Sequence, residues 1–461
     1  MKAIGLDIGT TKICGILIDS DSGRLLETRT RGNDSTIADT ASWEKCQDPH
    51  AILAHCQSIL QEFREIAGDI TCIGITGQMH GILYLDSSGE PVSPLYTWQD
   101  ERGNQPLSDT DTYASFLTRV TGYSMATGYG LTTHFYMVRK SLVPEKAAVF
   151  CTIQDYAAMV FAGASSPLVH ISDAASFGLF DGERNMFDLE AMKRAGMDGA
   201  LLPEVTKETR ALGSTSDGMS VAAAIGDNQA SFLGSVCDSD AILVNVGTGS
   251  QVSARTSGTD SAGDKRIAAG LQIRPLAEND RICVGSPLCG GYSYSVLKEF
   301  FTQAASMLGA QPSDLYHRMD TAAQDLYPAA QPLQIDTRFR GTREDPGIRG
   351  RIENISPANL TPGHLCLGVL TGICSELFAF YKQFPSDAPR TGLIGSGNGI
   401  RRSPLLQRII SDTFGLPLRI PLYEEEAAYG AALFCLVAGG VCSTLAQAQQ
   451  KIRYQTKGEE L

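Results

Sequence analysis

Ala3-Ile4-Gly5-Leu6-Asp7-Ile8-Gly9-Thr10-Thr11 and, half a chain later, Ala241-Ile242-Leu243-Val244-Asn245-Val246-Gly247-Thr248-Gly249-Ser250 follow one plan. Each is an apolar run, then Asp or Asn, an apolar residue, Gly, Thr, and a small or hydroxyl residue. Another strand-like run follows each of them. Apolar runs bounded by glycine read as buried strands, and the Gly-Thr turn between two of them reads as a hairpin. A repeat at this separation predicts a duplicated domain. The polar stretch Ser235-Val236-Cys237-Asp238-Ser239-Asp240 is the expected crossing point, giving domains at 1–238 and 239–461. The length of 461 residues also exceeds what a single hydrophobic core fills. A chance match of two Gly-Thr hairpins is the competing reading.

Outward from the first copy, Lys12 to Asp19 and Arg24 to Thr28, joined by the turn Asp21-Ser22-Gly23, extend the hairpin into a meander. A helical pattern covers about residues 49–67, and Ile70 to Thr76 reads as a buried strand. Strand and helix alternate from there to the C-terminus, which predicts an α/β layered fold.

Bulk properties remove several classes of function. A net charge of −13 leaves nothing to supply counterion release, so no nucleic-acid partner is expected. A small polyanion stays compatible, because a cation and backbone N–H groups neutralise phosphates locally. The 12 cysteines contain no Cys-x-x-Cys pair, and Cys14, Cys72, Cys151, Cys283, Cys366, Cys374 and Cys435 sit in or beside apolar runs, so reduced buried thiols are expected rather than disulfides. The 7 scattered histidines offer no zinc spacing. The first residues lack a leader pattern and no run of 18 apolar residues occurs, which predicts a cytoplasmic protein with no membrane partner.

Six segments carry chemistry. In the first hairpin, Gly9 lets N–H groups turn toward an anion, Thr10 and Thr11 add hydroxyl donors, and Asp7 at the strand end suits Mg²⁺. Asn245 to Ser250 repeats the donors without the charge. Two such hairpins facing across a cleft would clamp a triphosphate, while each alone is also an ordinary turn. The Gly-Lys-Ser/Thr signature of a P-loop is absent. In Gly226-Asp227-Asn228-Gln229-Ala230, Asp227 reads either as a helix N-cap or as a general base for a hydroxyl. Gly77-Gln78-Met79-His80-Gly81 and Thr97-Trp98-Gln99-Asp100-Glu101-Arg102 combine polar groups with one flat apolar face, the mixture that polyols need. A solvated Glu101–Arg102 pair is the alternative there. Gly392 to Ile400 is a glycine-rich loop after a strand, and Glu425-Glu426-Ala427-Ala428-Tyr429-Gly430 opens a closely packing helix.

In this order the segments resemble the FGGY carbohydrate kinase family along essentially the whole chain. The stretch Gly341-Thr342-Arg343 to Arg349-Gly350 adds to the match. The resemblance implies two duplicated actin-like (ribonuclease H-like) ATPase domains with an inter-domain cleft. It implies ATP and Mg²⁺ as cofactors and a small sugar as phosphoryl acceptor, with a homodimer left open. Asp227 would be the catalytic base and Asp7 would act with the metal. Thr10, Thr11, Lys12, Gly247, Thr248 and Gly249 would lie at the phosphates, and Gly395, Gly397 and Asn398 at the nucleotide. Gln78, Met79, His80, Trp98, Asp100, Arg102 and Asn228 would bind sugar. Thr97-Trp98-Gln99-Asp100 is most similar to members that convert sedoheptulose to its 7-phosphate, whereas xylulose-directed members usually carry Leu-Trp. Kinases for xylulose or another polyol, and a non-catalytic nucleotide-binding sugar sensor or actin-like scaffold, are the alternatives. Gly397-Asn398-Gly399 departs from the commoner small residue followed by Lys or Arg, and Arg401 or Arg402 would have to substitute.

Overall fold

The computed structural model describes every residue except 39–40, 258–269, 329–331, 343–344, 346, 386–388 and 456–461, so Arg343 lies outside the described residues. Two large mixed sheets dominate it. The first contains β1 (Lys2–Ile8), β2 (Lys12–Asp19), β3 (Leu25–Gly32), β4 (Ile70–Gly77), β5 (Ala211–Ser214) and β6 (Ser220–Ala222), in the order β5-β6-β4-β1-β2-β3. A short strand, β7 (Ile225–Gly226), pairs with the end of β4. The second sheet is built from β8 (Ala241–Val246), β9 (Ser250–Thr256), β10 (Leu271–Ala277), β11 (Asp280–Gly285), β12 (Gly392–Ser396) and β13 (Leu418–Arg419), in the order β10-β11-β9-β8-β12-β13.

The repeat seen in the sequence is a repeat of pairing. β1 runs antiparallel to β2 and parallel to β4, and β8 runs antiparallel to β9 and parallel to β12. Asp7 and Asn245 therefore occupy equivalent places near the ends of the two central strands. These strands are covered on both faces, which is why they read as continuous apolar runs.

Around the first sheet, Ile4, Leu6 and Ile8 share a core with Ile52, Cys56, Ile59 and Phe63 of α1 (Pro49–Ile66). Helix α1 starts where Asp48 accepts from the His50 N–H and Pro49 fills the first turn. Its Ile52-Cys56-Ile59-Phe63 stripe has the spacing of one buried helical face. Burying each such side chain contributes about 1.5–3 kcal/mol. Three other helices border the site: α2 (Ile153–Phe161), α3 (Ile171–Ala174) and α4 (Asp227–Ser235). Beyond them come α5 (Gly291–Met307), α6 (Pro362–Tyr381), α7 (Asn398–Arg402), α8 (Pro404–Phe414) and α9 (Glu426–Ala438).

The lobes are joined by α4 and α9, which cross so closely that glycines are required. A Cβ on Gly430 would lie 1.8 Å from the Ala230 carbonyl oxygen, and one on Gly234 would lie 2.1 Å from that of Glu426. Helix α9 also sits on the first sheet, where Cβ atoms on Gly5 and Gly74 would lie 1.9 and 1.8 Å from the carbonyls of Ala428 and Ala431. Meanwhile Phe232 and Leu233 of α4 share a core with Ala241 and Leu243 of the second sheet. Helix α9 thus packs on the first sheet, and the helix bearing Asp227 packs toward the second.

Helix α6 is apolar and long enough to cross a membrane by composition, but its Cys366, Leu367, Leu370, Ile373, Cys374 and Leu377 are buried in the second-lobe core. All 12 cysteines are free thiols, and all but Cys237 are buried.

Candidate active site

Two strand ends and one helix start bring the chemistry together. Asp7 lies at the C-terminal end of β1, directly beside Thr76 of parallel β4. Asp227 is the first residue of α4; the N-cap is Gly226, and no side-chain capping bond forms there. The N-cap alternative for Asp227 is thereby removed. Its carboxylate is half-buried, and the neighbouring Gly226 fits because a Cβ there would meet Met79 Cε at 2.8 Å.

The carboxylates repel one another. Burial first, then the charges of Asp227 and Glu425, push the Asp7 carboxyl up to about 7, against an opposing pull from Lys12. Burial raises Asp227 to about 6, opposed by the Asn228 N–H and by Arg274. Excess negative charge at one point suits a divalent cation. Among the described residues no group of three or more His, Cys, Asp or Glu side chains is arranged to hold a metal. A hard cation completed by phosphate oxygens and water, with Asp7 as its protein contact, fits this donor set.

Beside the acids, Gln78, Met79 and His80 leave β4. His80 adopts a left-handed backbone (φ 75°), a conformation that costs a non-glycine residue about 1 kcal/mol or more. Several contacts hold it there. Its N–H donates to Ser176 Oγ at 3.0 Å, its Nδ1 lies 2.7 Å from the Ser176 carbonyl oxygen, and its ring stacks on Tyr129 at 4.7 Å. A carbonyl can only accept, so Nδ1 carries a proton. The Gly226 N–H donates to Ser172 Oγ at 3.0 Å, so one short segment, 172–176, braces both His80 and the turn that carries Asp227.

Trp98 is 46% exposed and donates from Nε1 to Thr10 Oγ1 at 2.9 Å. Thr10 Oγ1 in turn donates to Gln78 Oε1 at 3.2 Å, and Gln47 ties the two by accepting from Gln78 and donating to the Thr10 carbonyl. Gln47 was not foreseen, because its role depends on a loop approaching from elsewhere in the chain.

Asp100 and Arg102 depart from the expectation. Asp100 is fully buried and accepts from the Lys45 N–H, the Arg102 N–H and Arg102 Nη1, while Arg102 is 5% exposed and pairs also with Glu44. They form a buried ion pair that supports the Trp98 loop, and the solvated Glu101–Arg102 alternative fails as well. Lys12 forms an ion pair with Glu425 at 2.8 Å instead of standing as a lone phosphate donor.

On the second lobe, Thr248 and Gly249 are exposed at the β8–β9 turn, and the Gly247 N–H donates to the Gly249 carbonyl. A turn that the sequence did not single out, Gly290-Gly291, closes on it. The Tyr292 N–H donates to the Thr248 carbonyl at 2.8 Å, and a Cβ on Gly291 would lie 2.0 Å from the Gly247 carbonyl oxygen. Gly397 has φ 83° and Asn398 is exposed at the start of α7. Gly395 is a correction. It is buried in β12, and a Cβ there would meet Ile400, Ile420 and Leu418 side chains, so its lack of a side chain serves packing. Arg401 bonds to Glu426 and the carbonyls of Pro421 and Tyr423 and is not a substitute nucleotide ligand.

The first hairpin carries an acid, Asp7, and its counterpart in the second lobe carries the uncharged Asn245 at the equivalent place. Residues 2–244 match the model of the FGGY family of carbohydrate kinases, N-terminal domain, and residues 288–439 match that of the C-terminal domain. The chain belongs to the FGGY family of carbohydrate kinases. It is similar to the sedoheptulokinase of Mus musculus, 27% identical with 94% of this chain and 97% of that protein covered. It also resembles the xylulose kinase of Staphylococcus xylosus, at 23% identity over 93% of this chain and 89% of that one. The fold of the gluconate kinase of Lactobacillus acidophilus superposes with a TM-score of 0.83 at 19% identity, covering 99% of this chain and 92% of the other. This FGGY kinase therefore has the two-domain, actin-like ATPase fold and is an enzyme that phosphorylates a small sugar with ATP as donor.

Proposed function

We propose that this kinase transfers the γ-phosphoryl group of ATP to sedoheptulose, giving sedoheptulose 7-phosphate. The observation that carries the chemistry is Asp227: a carboxylate at the first turn of α4, following Gly226, with its acidity shifted to about 6. A carboxylate of that acidity is mostly ionised at neutral pH yet basic enough to accept a hydroxyl proton. Support for sedoheptulose comes from the likeness to the Mus musculus enzyme and from the Thr97-Trp98-Gln99-Asp100 run.

The acceptor sugar sits between Gln78, Met79 and His80, with Trp98 as its flat wall and Asn228 beside it. Asp227 takes the proton of the attacking hydroxyl. The new bond joins that oxygen to the γ-phosphorus, the bond to the β,γ-bridging oxygen breaks, and ADP leaves with its electron pair. Thr10, Thr11, Thr248 and Gly249 hold phosphate oxygens across the cleft, and Gly397 and Asn398 border the nucleotide. Mg²⁺ at Asp7 would neutralise charge on the transferring group. Positioning and charge compensation supply most of the rate in such a transfer.

The likeness to a xylulose kinase keeps a shorter ketose as the second reading. Steady-state ADP release with MgATP and a series of acceptors tests the proposal. The highest kcat/KM is expected for sedoheptulose; a higher value for xylulose, gluconate or glycerol reassigns the acceptor.

A further inference from the structure

A line of five side chains leaves Asn228 and runs over the second sheet, and none of the four beyond Asn228 was singled out in the sequence. Asn228 Nδ2 donates to Gln251 Oε1 at 2.6 Å, and Gln251 Nε2 donates to Ser286 Oγ at 2.8 Å. In the other direction, Arg274 Nη1 donates to Asn228 Oδ1 at 3.0 Å. The same guanidinium donates twice to Gln272 Oε1, from Nε at 3.1 Å and from Nη2 at 2.6 Å. All five are half-buried, as a cleft wall requires. Both ends of the Asn228 amide are engaged, so its orientation is fixed by the second lobe although it stands beside Asp227 of the first.

Gln272 and Arg274 belong to β10, where Leu271, Ile273 and Pro275 alternate with them into the core. Strand β10 is the edge of the second sheet that meets the first lobe on the acceptor side. It packs against α3, the helix that leads to Ser176 beneath His80, and Gln229 of α4 donates to the Pro275 carbonyl at 2.9 Å. The phosphate turn of the β8–β9 hairpin lies next to Gln251, whereas Gln272 and Arg274 lie two strands away on β10. That end of the wall therefore faces the acceptor and not the nucleotide. It presents a fixed guanidinium and amide groups: donors for hydroxyl and carbonyl oxygens, and a charge that disfavours cationic acceptors.

We propose that Gln272 and Arg274, held in register by Gln251 and Asn228, are specificity-determining residues that read the distal oxygens of a long-chain ketose. The inference rests on the acceptor reading above and deepens it. A short polyol such as glycerol has no distal oxygens to offer this wall. A ketose that loses the contact leaves buried polar groups unpaired, which discriminates strongly.

The test is steady-state kinetics of wild type, Gln272→Leu, Gln272→Ala and Arg274→Met with sedoheptulose and with glycerol, together with KM for ATP and thermal melting. The wild-type arm decides the kinase reading by itself, and the Gln272 variants bear only on the wall, whereas Arg274→Met also removes a charge beside Asp227. Relative to wild type, kcat/KM for sedoheptulose should fall on the order of 10-fold or more further than kcat/KM for glycerol, mainly through the sugar KM. Equal losses on both acceptors, or a loss confined to the ATP KM, would overturn the wall. Gln272→Leu preserves side-chain bulk and keeps the test decisive should the arginine variant fail to fold. Wild type that phosphorylates glycerol and no ketose would overturn the acceptor reading and the wall together.

Discussion

Trp98 Nε1 donates to Thr10 Oγ1 at 2.9 Å, so the aromatic face on the acceptor side is fastened to the hairpin on the phosphate side. Thr10 passes the bond on to Gln78. Replacing Trp98 by Phe keeps a ring and deletes the donor. The sugar KM should rise and kcat should fall together, by roughly 10-fold in kcat/KM. An unchanged kcat with only a raised KM would reduce Trp98 to a sugar platform.

Asp227 should set the acidic limb of the rate. Its carboxyl is raised to about 6, with Arg274 opposing the rise. The ionised form accepts the proton, so kcat/KM for the sugar should increase as pH climbs through about 6 and level off above it. Asp227→Asn should lower kcat roughly 10²–10⁴-fold and leave ATP binding in place. Initial rates from pH 5 to 8 check both statements.

The same acids carry a stability cost. The Asp7 carboxyl is raised from 3.8 to about 7 in the folded chain, so between those values the native state binds more protons than the unfolded state. Stability then falls as pH rises through that window, and the full penalty is present above it. Asp7→Asn should therefore melt a few degrees higher than wild type at pH 8 without Mg²⁺ and show no such gain near pH 4, while losing activity. Calorimetry or fluorescence melting at the two pH values reads the sign directly.

Gly291 should be as necessary as the foreseen Thr248. A Cβ at Gly291 would approach the Gly247 carbonyl oxygen to 2.0 Å, so Gly291→Ala must push the phosphate turn out of place. Affinity for ATP should fall on the order of 10-fold or more, with sugar binding measured by calorimetry little changed.

Arg102 should matter to folding before it matters to chemistry. Removing it leaves Asp100 buried with no counter-charge and deletes a guanidinium stacked 4.3 Å from the Tyr96 ring. Arg102→Ala should cost about 3–5 kcal/mol in a denaturant titration. Arg102→Met, which keeps packing, should lose nearly as much, because the charge on Asp100 remains uncompensated.

The parts legible in the sequence were those written into contiguous runs. The two hairpins announced the duplication because a buried strand and a Gly-Thr turn leave a fixed local signature, whereas Asp227 stood at a helix start, where an N-cap and a base look alike until the fold shows Gly226 as the cap. Gln272 and Arg274 were invisible for the opposite reason. They alternate with apolar residues like any half-buried strand, and only the approach of β10 to Asn228 gives them a role. Gly290-Gly291 was hidden likewise, since its partner Gly247 is brought to it by the fold. Gly395 was misread because a glycine that admits a neighbouring Leu or Ile looks, in sequence, like one that admits a nucleotide. Asp100 and Arg102 were misread because two charges near a tryptophan do not show whether they face the cleft or each other.

The measurement that tests the central claim most directly is ³¹P NMR of wild type and Asp227→Asn incubated with MgATP and sedoheptulose. Wild type should convert the γ-phosphate signal into a phosphomonoester, one for each ADP formed, and Asp227→Asn should do so orders of magnitude more slowly. Release of inorganic phosphate without a sugar phosphate, or a variant as fast as wild type, would contradict the account.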